Sequence, residues 1–251
     1  PFMTTFHGMY GLENGMKKRY NSVMVKGARV IAVSEFIREH ISKNYALDAT
    51  HLRTIPRGVD FNIFDDSKII PGRIEELTRL WRLNENFAPL ILCPGRISRI
   101  KGQHVLIEAL AHLTDLSFQC IIAGTDNGHE DYREELESLI RARGLEGKVR
   151  IASPTNAMAE AYTLSSLIVV PSIQPESFGR VAIEAQAMGR LVVATDIGGA
   201  KETIIPNETG YLVPPENAQA MAEAIRFGLA RDKRVVEAMA AFAKRHVRAH
   251  F

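Results

Sequence analysis

The chain of 251 residues has only two cysteines, no long hydrophobic run and almost no net charge. Cys93 and Cys120 lie inside short apolar runs without Cys-x-x-Cys spacing, which predicts reduced core residues and favours a cytoplasmic location. No apolar stretch approaches the roughly 20 residues that span a bilayer, so no transmembrane helix is expected. The formal net charge is +2, and Lys and Arg are scattered, which argues against a nucleic-acid partner.

The composition that remains is that of a globular protein. Hydrophobic residues make up 46% and charged residues 24%, enough to bury one large core or two smaller ones. The sequence begins at Pro1 in the middle of the α/β pattern, and it ends on RHVRAHF before the last helical pattern stops. We therefore expect a fragment of a longer protein, in which the lack of a targeting sequence carries little weight.

Short runs rich in Val, Ile and Leu alternate with helical patterns, and most of these runs are continuously apolar. The predicted strands are Ala28–Val33, Leu52–Ile55, Pro89–Cys93, Phe118–Ala123, Val149–Ala152, Leu167–Val170 and Leu191–Ala194. The predicted helices are Gly15–Lys26, Glu35–Lys43, Ile74–Trp81, Gln103–Leu113, Tyr132–Arg143, Ala157–Leu164, Phe178–Met188, Ala218–Leu229 and a last one from about Asp232. This order predicts parallel α/β structure with sheets covered on both faces.

One segment interrupts the alternation. RGVDFNIFDDSKIIPG, Arg57 to Gly72, is polar and turn-rich without a clear period. We interpret it as a crossover between a short first α/β domain and a longer second one.

The stretch PESFGRVAIEAQAMG, Pro175 to Gly189, carries Glu176 and Glu184 and directly follows a predicted strand. Parallel sheets bind ligands beyond the carboxyl ends of their strands, and a helix beginning near Gly179 would offer free N–H groups to a phosphate. Glu184 lies in an otherwise apolar helix and therefore needs donors. One interpretation is an i,i+4 pair with Arg180, and the other is a ligand with two hydroxyls such as a ribose.

A basic loop follows the first strand of the second domain, in CPGRISRIKGQHVLIEAL. Arg96 and Lys101 lie at a strand's carboxyl end, where two cations can neutralise a diphosphate. The alternative is an ordinary solvent-exposed loop without a ligand. In both cases Arg99 is predicted to be a surface residue. A third segment, TTFHG, places His7 at the end of a possible strand, although a lone His is usually structural or exposed.

These segments together resemble the large retaining glycosyltransferase family with two facing Rossmann-like domains, family 4 of the GT-B class. The matching motifs are Pro-Glu-x-Phe-Gly with the second Glu, EAQAMGRLVVATDIGG, KETI, Gly-Arg-x-x-x-x-Lys-Gly, Thr-x-His-Gly, VIAVSEFIREHI and IPRGVD. The resemblance implies a GT-B fold with two Rossmann-like domains and parallel sheets, the N-terminal one truncated. It divides the chain into residues 1–58 of the acceptor-side domain, a donor domain at 59–231, and a final helix, 232–251, returning towards the first domain.

The resemblance also assigns roles. Glu176 would contact the transferred sugar near the reacting carbon, and His7 would point at that sugar from across the cleft. Glu184 would hold the ribose of the nucleotide. The remaining donor-binding residues implied are Gly95, Arg96, Lys101, Ser177, Phe178, Gly179 and Arg180, with Ala152 and Ser153 as candidates for the base.

Two departures from the family pattern are visible. Arg57 stands where the family usually has Asn, and we expect this change to affect only the hinge. IASPTNAMAEAY, Ile151 to Tyr162, replaces the usual Phe-x-Gly of the base pocket, which leaves the identity of the base open.

The resemblance implies transfer of a glycosyl group from a UDP-, GDP- or ADP-sugar to a saccharide or lipid-linked acceptor hydroxyl, with retention. The expected setting is bacterial envelope polysaccharide or lipopolysaccharide synthesis. No Asp-x-Asp of the metal-dependent type occurs, and His246 and His250 lack an evident third ligand, so no metal or other cofactor is expected. The alternatives are a nucleotide-sugar epimerase of the same fold and a nucleotide-sugar-binding fragment without catalysis. A dehydrogenase is disfavoured because no Gly-x-Gly-x-x-Gly enters a helix.

The predicted helix at Gly15–Lys26 is basic and amphipathic, with Met16 and Tyr20 on one face and lysines elsewhere. The favoured interpretation is a helix that packs its apolar face onto its own sheet. The other is peripheral contact with an anionic membrane at its inner face.

Overall fold

The computed structural model describes residues 2–10, 15–84 and 89–251, which form two parallel sheets. The smaller sheet has the order β1-β2-β3, with β1 at Met3–Phe6, β2 at Arg29–Ala32 and β3 at Leu52–Thr54. The larger has the order β6-β5-β4-β7-β8-β9. Its strands are β4 (Leu90–Pro94), β5 (Gln119–Ala123), β6 (Val149–Ala152), β7 (Leu167–Val170), β8 (Leu191–Thr195) and β9 (Gly210–Val213).

The helices of the described residues lie between and after these strands. They are α1 (Gly15–Asn21), α2 (Glu35–Asn44), α3 (Pro71–Leu80), α4 (Gln103–Ala111), α5 (Glu130–Ala142), α6 (Met158–Leu164), α7 (Arg180–Ala187), α8 (Ala200–Thr203), α9 (Ala218–Leu229) and α10 (Lys233–His250). Along β4, Ile91 and Cys93 enter a core with α4, α5 and α9, whereas Leu90 and Leu92 enter a second core with α3, α6 and α7. Because both faces of a strand are buried, its sequence is continuously apolar.

A third core joins the smaller sheet to the rest of the molecule. Phe6 and Val30 of this sheet pack in one cluster with Ile183 of α7 and Val247 of α10. Helix α10 also contacts the crossover, where Arg248 pairs with Asp65 at 2.7 Å. The two sheets divide between β3 and β4, and the domain limits at residues 58 and 231 stay predictions.

The predicted strands are all present, and no strand end differs from its predicted position by more than one residue. Helix α7 begins at Arg180 rather than at Phe178, because Gly179 adopts a left-handed conformation with φ 91° and caps the helix. The short elements β9 and α8 were not assigned from the sequence, and β1 was indicated only as a possible strand before His7.

The favoured interpretation of the basic amphipathic segment is wrong. Helix α1 spans only two turns and buries none of its residues, and the chain then continues as a 3-10 turn at Ser22–Val25. Met16 is 82% exposed and Tyr20 is 80% exposed. Only Met24 and Val25, beyond the end of α1, pack against the third core.

Both cysteines behave as core residues. Cys93 and Cys120 are buried and free, and burial raises the pKa of the Cys93 thiol to about 12. Within the described residues, no helix combines the length and apolarity needed to cross a bilayer.

Candidate functional site

The candidate site lies at the carboxyl ends of β4 and β7, which are neighbours in the larger sheet. The loop after β4 carries Arg96 and Lys101, and the loop after β7 carries Glu176. These loops enclose a pocket of about 260 Å³, lined by Arg96, Ile100, Lys101, Ser172, Gln174, Pro175, Glu176 and Ser177. The structure thus brings together residues that are 75 to 80 positions apart in the chain.

Glu176 is held by two donors from these loops. Lys101 Nζ donates to Glu176 Oε1 at 2.7 Å, and the Ser172 hydroxyl donates to the same oxygen at 2.5 Å. Since both bonds end on Oε1, the other carboxylate oxygen is not engaged by them. The side chains of Lys101 and Glu176 are 27% and 22% exposed, so the pair remains within reach of a ligand.

The loop that carries Glu176 is braced from behind by the turn after β8. The Gly199 N–H donates to the Glu176 carbonyl at 2.8 Å. Gly198 has φ +60°, and a Cβ there would lie 2.4 Å from the same carbonyl oxygen. This approach requires glycine, and it keeps the Glu176 backbone close to α8.

The next residues lead into α7. Ser177 lines the pocket, and the N–H groups at the start of a helix such as α7 lack the i−4 acceptors found in its interior. Phe178 is buried, and its ring lies 5.5 Å from that of Phe251. The side chain of Phe178 is therefore part of the packing, and only its backbone is available for a ligand.

Glu184 lies on α7 with a side chain that is 12% exposed. Arg180 Nη2 donates to its Oε1 at 3.0 Å, and the Tyr162 hydroxyl donates to its Oε2 at 3.1 Å. Burial, and then the neighbouring Glu184, raise the pKa of Tyr162 well above its usual value, so the hydroxyl remains a donor. The i,i+4 pair is thus present, and Tyr162 is a partner that the sequence did not indicate.

The side chain of Arg96 is exposed at the entrance of the pocket. Hydrogen bonds hold the backbone of Arg96 and of the preceding residue in place. The buried Gln103 donates through Nε2 to the Arg96 carbonyl at 3.0 Å. Gly95 precedes it with φ +145°, and its N–H donates to the Ala123 carbonyl of β5. Arg99 instead pairs with Glu135 on α5, as expected for a surface residue.

His7 follows β1 and does not stand alone. Arg57 Nη2 lies 2.8 Å from His7 Nδ1, and because a guanidinium only donates, Nδ1 must accept and the neutral ring carries its proton on Nε2. The expectation that Arg57 affects only the hinge is therefore wrong. Three residues after β3, Arg57 lies close to the end of β1, and only the parallel pairing of these strands with β2 reveals this.

Ala152 and Ser153 lie at the end of β6, away from Glu176. They line a different pocket, of about 450 Å³, with Trp81, Arg82 and Arg150.

Among the described residues, no group of three or more His, Cys, Asp or Glu side chains is arranged to hold a metal ion. His250 Nδ1 contacts the His246 carbonyl at 2.9 Å, one helical turn back.

Ser172, Tyr162 and Gln103 were missed by the sequence analysis. Ser172 had a usable signal, because it lies two residues after the end of β7 and four residues before Glu176. Tyr162 and Gln103 had none, because each looks like an ordinary residue of an apolar helix.

Two family models match the chain. The model described as glycosyl transferases group 1 covers residues 81–246, and the model described as glycosyltransferase family 4 covers residues 1–62. The first spans more than half of the chain and includes the whole pocket around Glu176.

The curated relatives include D-inositol 3-phosphate glycosyltransferases. A D-inositol 3-phosphate glycosyltransferase of Xylanimonas cellulosilytica is 29% identical over 93% of this chain and 59% of its own length. A protein of the same name from an Arthrobacter strain is 34% identical over 80% of this chain and 48% of its own. The chain thus spans about half of the length of the curated relatives it matches.

Solved structures agree on the fold. A glycosyltransferase from Rickettsia africae superposes with TM-score 0.92 at 38% identity, covering 100% of this chain and 66% of that protein. HepE of Anabaena, solved in complex with UDP-glucose, superposes with TM-score 0.88 at 27% identity, covering 100% of this chain and 68% of that one. The larger and smaller sheets therefore adopt the two-domain GT-B arrangement.

Proposed function

Because the chain belongs to the family of glycosyl transferases group 1, we propose that it transfers a glycosyl group from a nucleotide-sugar to an acceptor hydroxyl, with retention at the anomeric carbon. The observation that carries this proposal is the pocket at the ends of β4 and β7. There the carboxylate of Glu176 is paired with Lys101 beside the exposed Arg96. One anionic and two cationic groups thus face the same space.

The proposed chemistry uses these opposite charges. Breaking the bond between sugar and phosphate leaves negative charge on the departing diphosphate, and preorganised Arg96 and Lys101 would stabilise it. Positive character develops on the sugar ring, and the Glu176 carboxylate would stabilise that charge without forming a covalent bond. The leaving phosphate itself would help to deprotonate the acceptor. With two cations in place the transfer is proposed to need no metal.

The proposed donor is a UDP-sugar, which the UDP and UDP-glucose complexes of HepE support by similarity. Glu184 would accept hydrogen bonds from the ribose hydroxyls. His7 would donate to the sugar from the smaller sheet through Nε2–H. The pocket at Ala152 and Ser153 would take the base.

The proposed acceptor is a saccharide or lipid-linked hydroxyl in bacterial envelope polysaccharide or lipopolysaccharide synthesis, in the cytoplasm. The curated relatives name a different acceptor, D-inositol 3-phosphate, which belongs in the same assay panel. An epimerase of this fold would convert the nucleotide-sugar without any acceptor. Turnover assayed with and without acceptor separates the two.

Calorimetry against UDP, GDP and ADP tests the donor. We expect UDP to bind in the micromolar range, and Arg96→Ala to weaken its binding by roughly tenfold or more, because a charge-assisted contact to a phosphate contributes about 1.5–3 kcal/mol. Arg99→Ala is the matched control, since Arg99 lies in the same loop but pairs with Glu135. Equal losses in both variants, or no binding of any nucleotide, would contradict the donor assignment.

We also propose peripheral contact with the inner face of a membrane through α1. The exposed Met16 and Tyr20 are flanked there by Lys17, Lys18 and Arg19, all on an exposed helix. Apolar side chains beside basic ones suit an anionic lipid surface. Each basic residue near such a surface contributes about 1 kcal/mol, so replacing these three with Gln is expected to weaken vesicle binding by roughly a hundredfold.

Sedimentation with phosphatidylserine vesicles at low salt measures this binding. The control removes the same charge elsewhere, with Lys43, Lys68 and Lys233 replaced by Gln on other exposed surfaces. If the parent protein stays in the supernatant, or if both triple variants lose binding equally, α1 is not a membrane contact.

A further inference from the structure

The N-terminus of α2 docks against the loop that carries Glu176. Ser34 caps α2, with its Oγ accepting from the Ile37 N–H at 3.1 Å. The same hydroxyl donates to the Ser177 carbonyl at 2.5 Å, 143 residues away in the chain. Ser34 is completely buried, so this contact lies inside the joint between the two sheets.

A second cap for α2 comes from α8. Glu202 Oε2 accepts from the Glu35 N–H at 2.8 Å, and Oε1 accepts from the Phe36 N–H at 2.7 Å. The first N–H groups of a helix lack intrahelical acceptors, and a carboxylate is favourable at this positive end of the helix dipole. Glu202 therefore binds α2 through two charge-assisted hydrogen bonds from another part of the fold.

Helix α8 is in turn tied to the Glu176 loop. It begins after Gly199, whose N–H bonds to the Glu176 carbonyl, and a Cβ at Gly199 would lie 2.5 Å from Phe178 Cα. Gln186 of α7 also donates to the Thr203 carbonyl at 2.7 Å. Glu202 and the backbone of Glu176 are thus connected through these hydrogen bonds and close backbone contacts.

His7 follows β1 of the smaller sheet and lies near the same contact between the two sheets. Helix α2 follows β2, and β2 pairs with β1, which ends directly before His7. The neighbouring Gly8 comes close to the loop, since a Cβ there would lie 3.4 Å from Ser177 Oγ. The docking of α2 therefore sets the distance between His7 and Glu176.

We propose that Glu202 is a positioning residue that locks α2 against the Glu176 loop and so fixes the approach of His7 to the donor pocket. This role rests on the glycosyl transfer proposed above. A cavity of about 510 Å³ borders this contact and gives solvent access to it.

The test is Glu202→Gln in the full-length protein. A glutamine side chain offers one acceptor oxygen to two N–H groups, so half of the cap is lost. We expect kcat to fall between about tenfold and a hundredfold, the range in which small misplacements act. The Kd for UDP is expected to stay within twofold, because Arg96, Lys101 and Glu184 all lie on the larger sheet's side. Amide exchange of Glu35 and Phe36 is expected to accelerate at least tenfold.

Glu39→Gln is the matched control, since it removes the same charge from α2, where Glu39 is exposed and pairs only with Lys43 in the described structure. Ser34→Ala removes a different group from the same contact between α2 and the Glu176 loop. It is expected to lower kcat and leave the Kd for UDP nearly unchanged, as for Glu202→Gln. A loss of kcat matched by an equal loss of UDP affinity, or unchanged kcat, would overturn the proposal.

Amide exchange keeps this proposal separate from the proposed function. If the parent protein transfers no sugar to any acceptor, the proposed function fails. The exchange rates alone then test whether Glu202 holds α2 against the Glu176 loop. Faster exchange at Glu35 and Phe36 in Glu202→Gln, but not in Glu39→Gln, supports it. Equal rates in the two variants overturn it.

Discussion

Replacing Glu176 with Gln is expected to lower kcat by roughly 10²–10³-fold, the loss typical of removing one preorganised group that stabilises transition-state charge. The carboxylate is held in place by Lys101 and Ser172, so it needs no rearrangement to face a developing positive charge. Glutamine preserves the size of the side chain and removes its charge. Initial rates with UDP-glucose and an acceptor panel give kcat.

Nucleotide binding is expected to survive this change. Glu176 would contact the sugar rather than the nucleotide, so the Kd for UDP from calorimetry should stay within a few-fold of the parent value. Glu135→Gln is the control, because it removes a carboxylate from the nearby surface, where Glu135 pairs with Arg99. A variant that keeps its full kcat would rule out Glu176 as the donor-orienting group.

Replacing Glu184 with Gln is expected to have the opposite signature. The Kd for UDP should rise roughly tenfold to a hundredfold, because hydrogen bonds from hydroxyls to a charged acceptor contribute about 1.5–3 kcal/mol. Once the enzyme is saturated with donor, kcat should change much less. Glutamine is preferable to alanine here, since its oxygen can still accept from the buried Tyr162 hydroxyl.

Tyr162→Phe is the matched control for Glu184. It removes the hydroxyl that Glu184 accepts from in the protein but leaves the carboxylate on α7. UDP affinity should then remain near the parent value, although the free energy of unfolding changes. If Tyr162→Phe weakens UDP binding as much as Glu184→Gln, then Glu184 acts by supporting the packing of α6 and α7 and not by holding a ribose.

The convergence of Arg96, Lys101 and Glu176 was predictable for a topological reason. Each follows an apolar run that is too short for a helix, and parallel strands bring their carboxyl ends to one edge. The sequence did not assign the order of the strands, and the structure shows that β4 and β7 are neighbours. The roles of these residues in binding and catalysis stay predictions.

The contacts between the two sheets could not be read in the same way. Ser34 and Ser177 are 143 residues apart, and Glu35 and Glu202 are 167 apart. No local pattern marks such pairs, because a serine or glutamate in a helix's first turn is common whether or not it has a distant partner. The contact of Arg57 with His7 was misjudged for the same reason.

The sequence by itself determined the parallel α/β class, strands β4 to β8 of the larger sheet, the buried cysteines and the position of Arg96, Lys101 and Glu176 in loops that follow strands. These follow from hydrophobic pattern and chain order, which are local properties. Only the tertiary structure decided that Lys101 and Ser172 share one oxygen of Glu176, that Tyr162 supports Glu184, that Glu202 caps α2 and that α1 leaves Met16 and Tyr20 exposed. Each of these depends on how separate elements pack, and packing is a property of distances between residues that are remote along the chain.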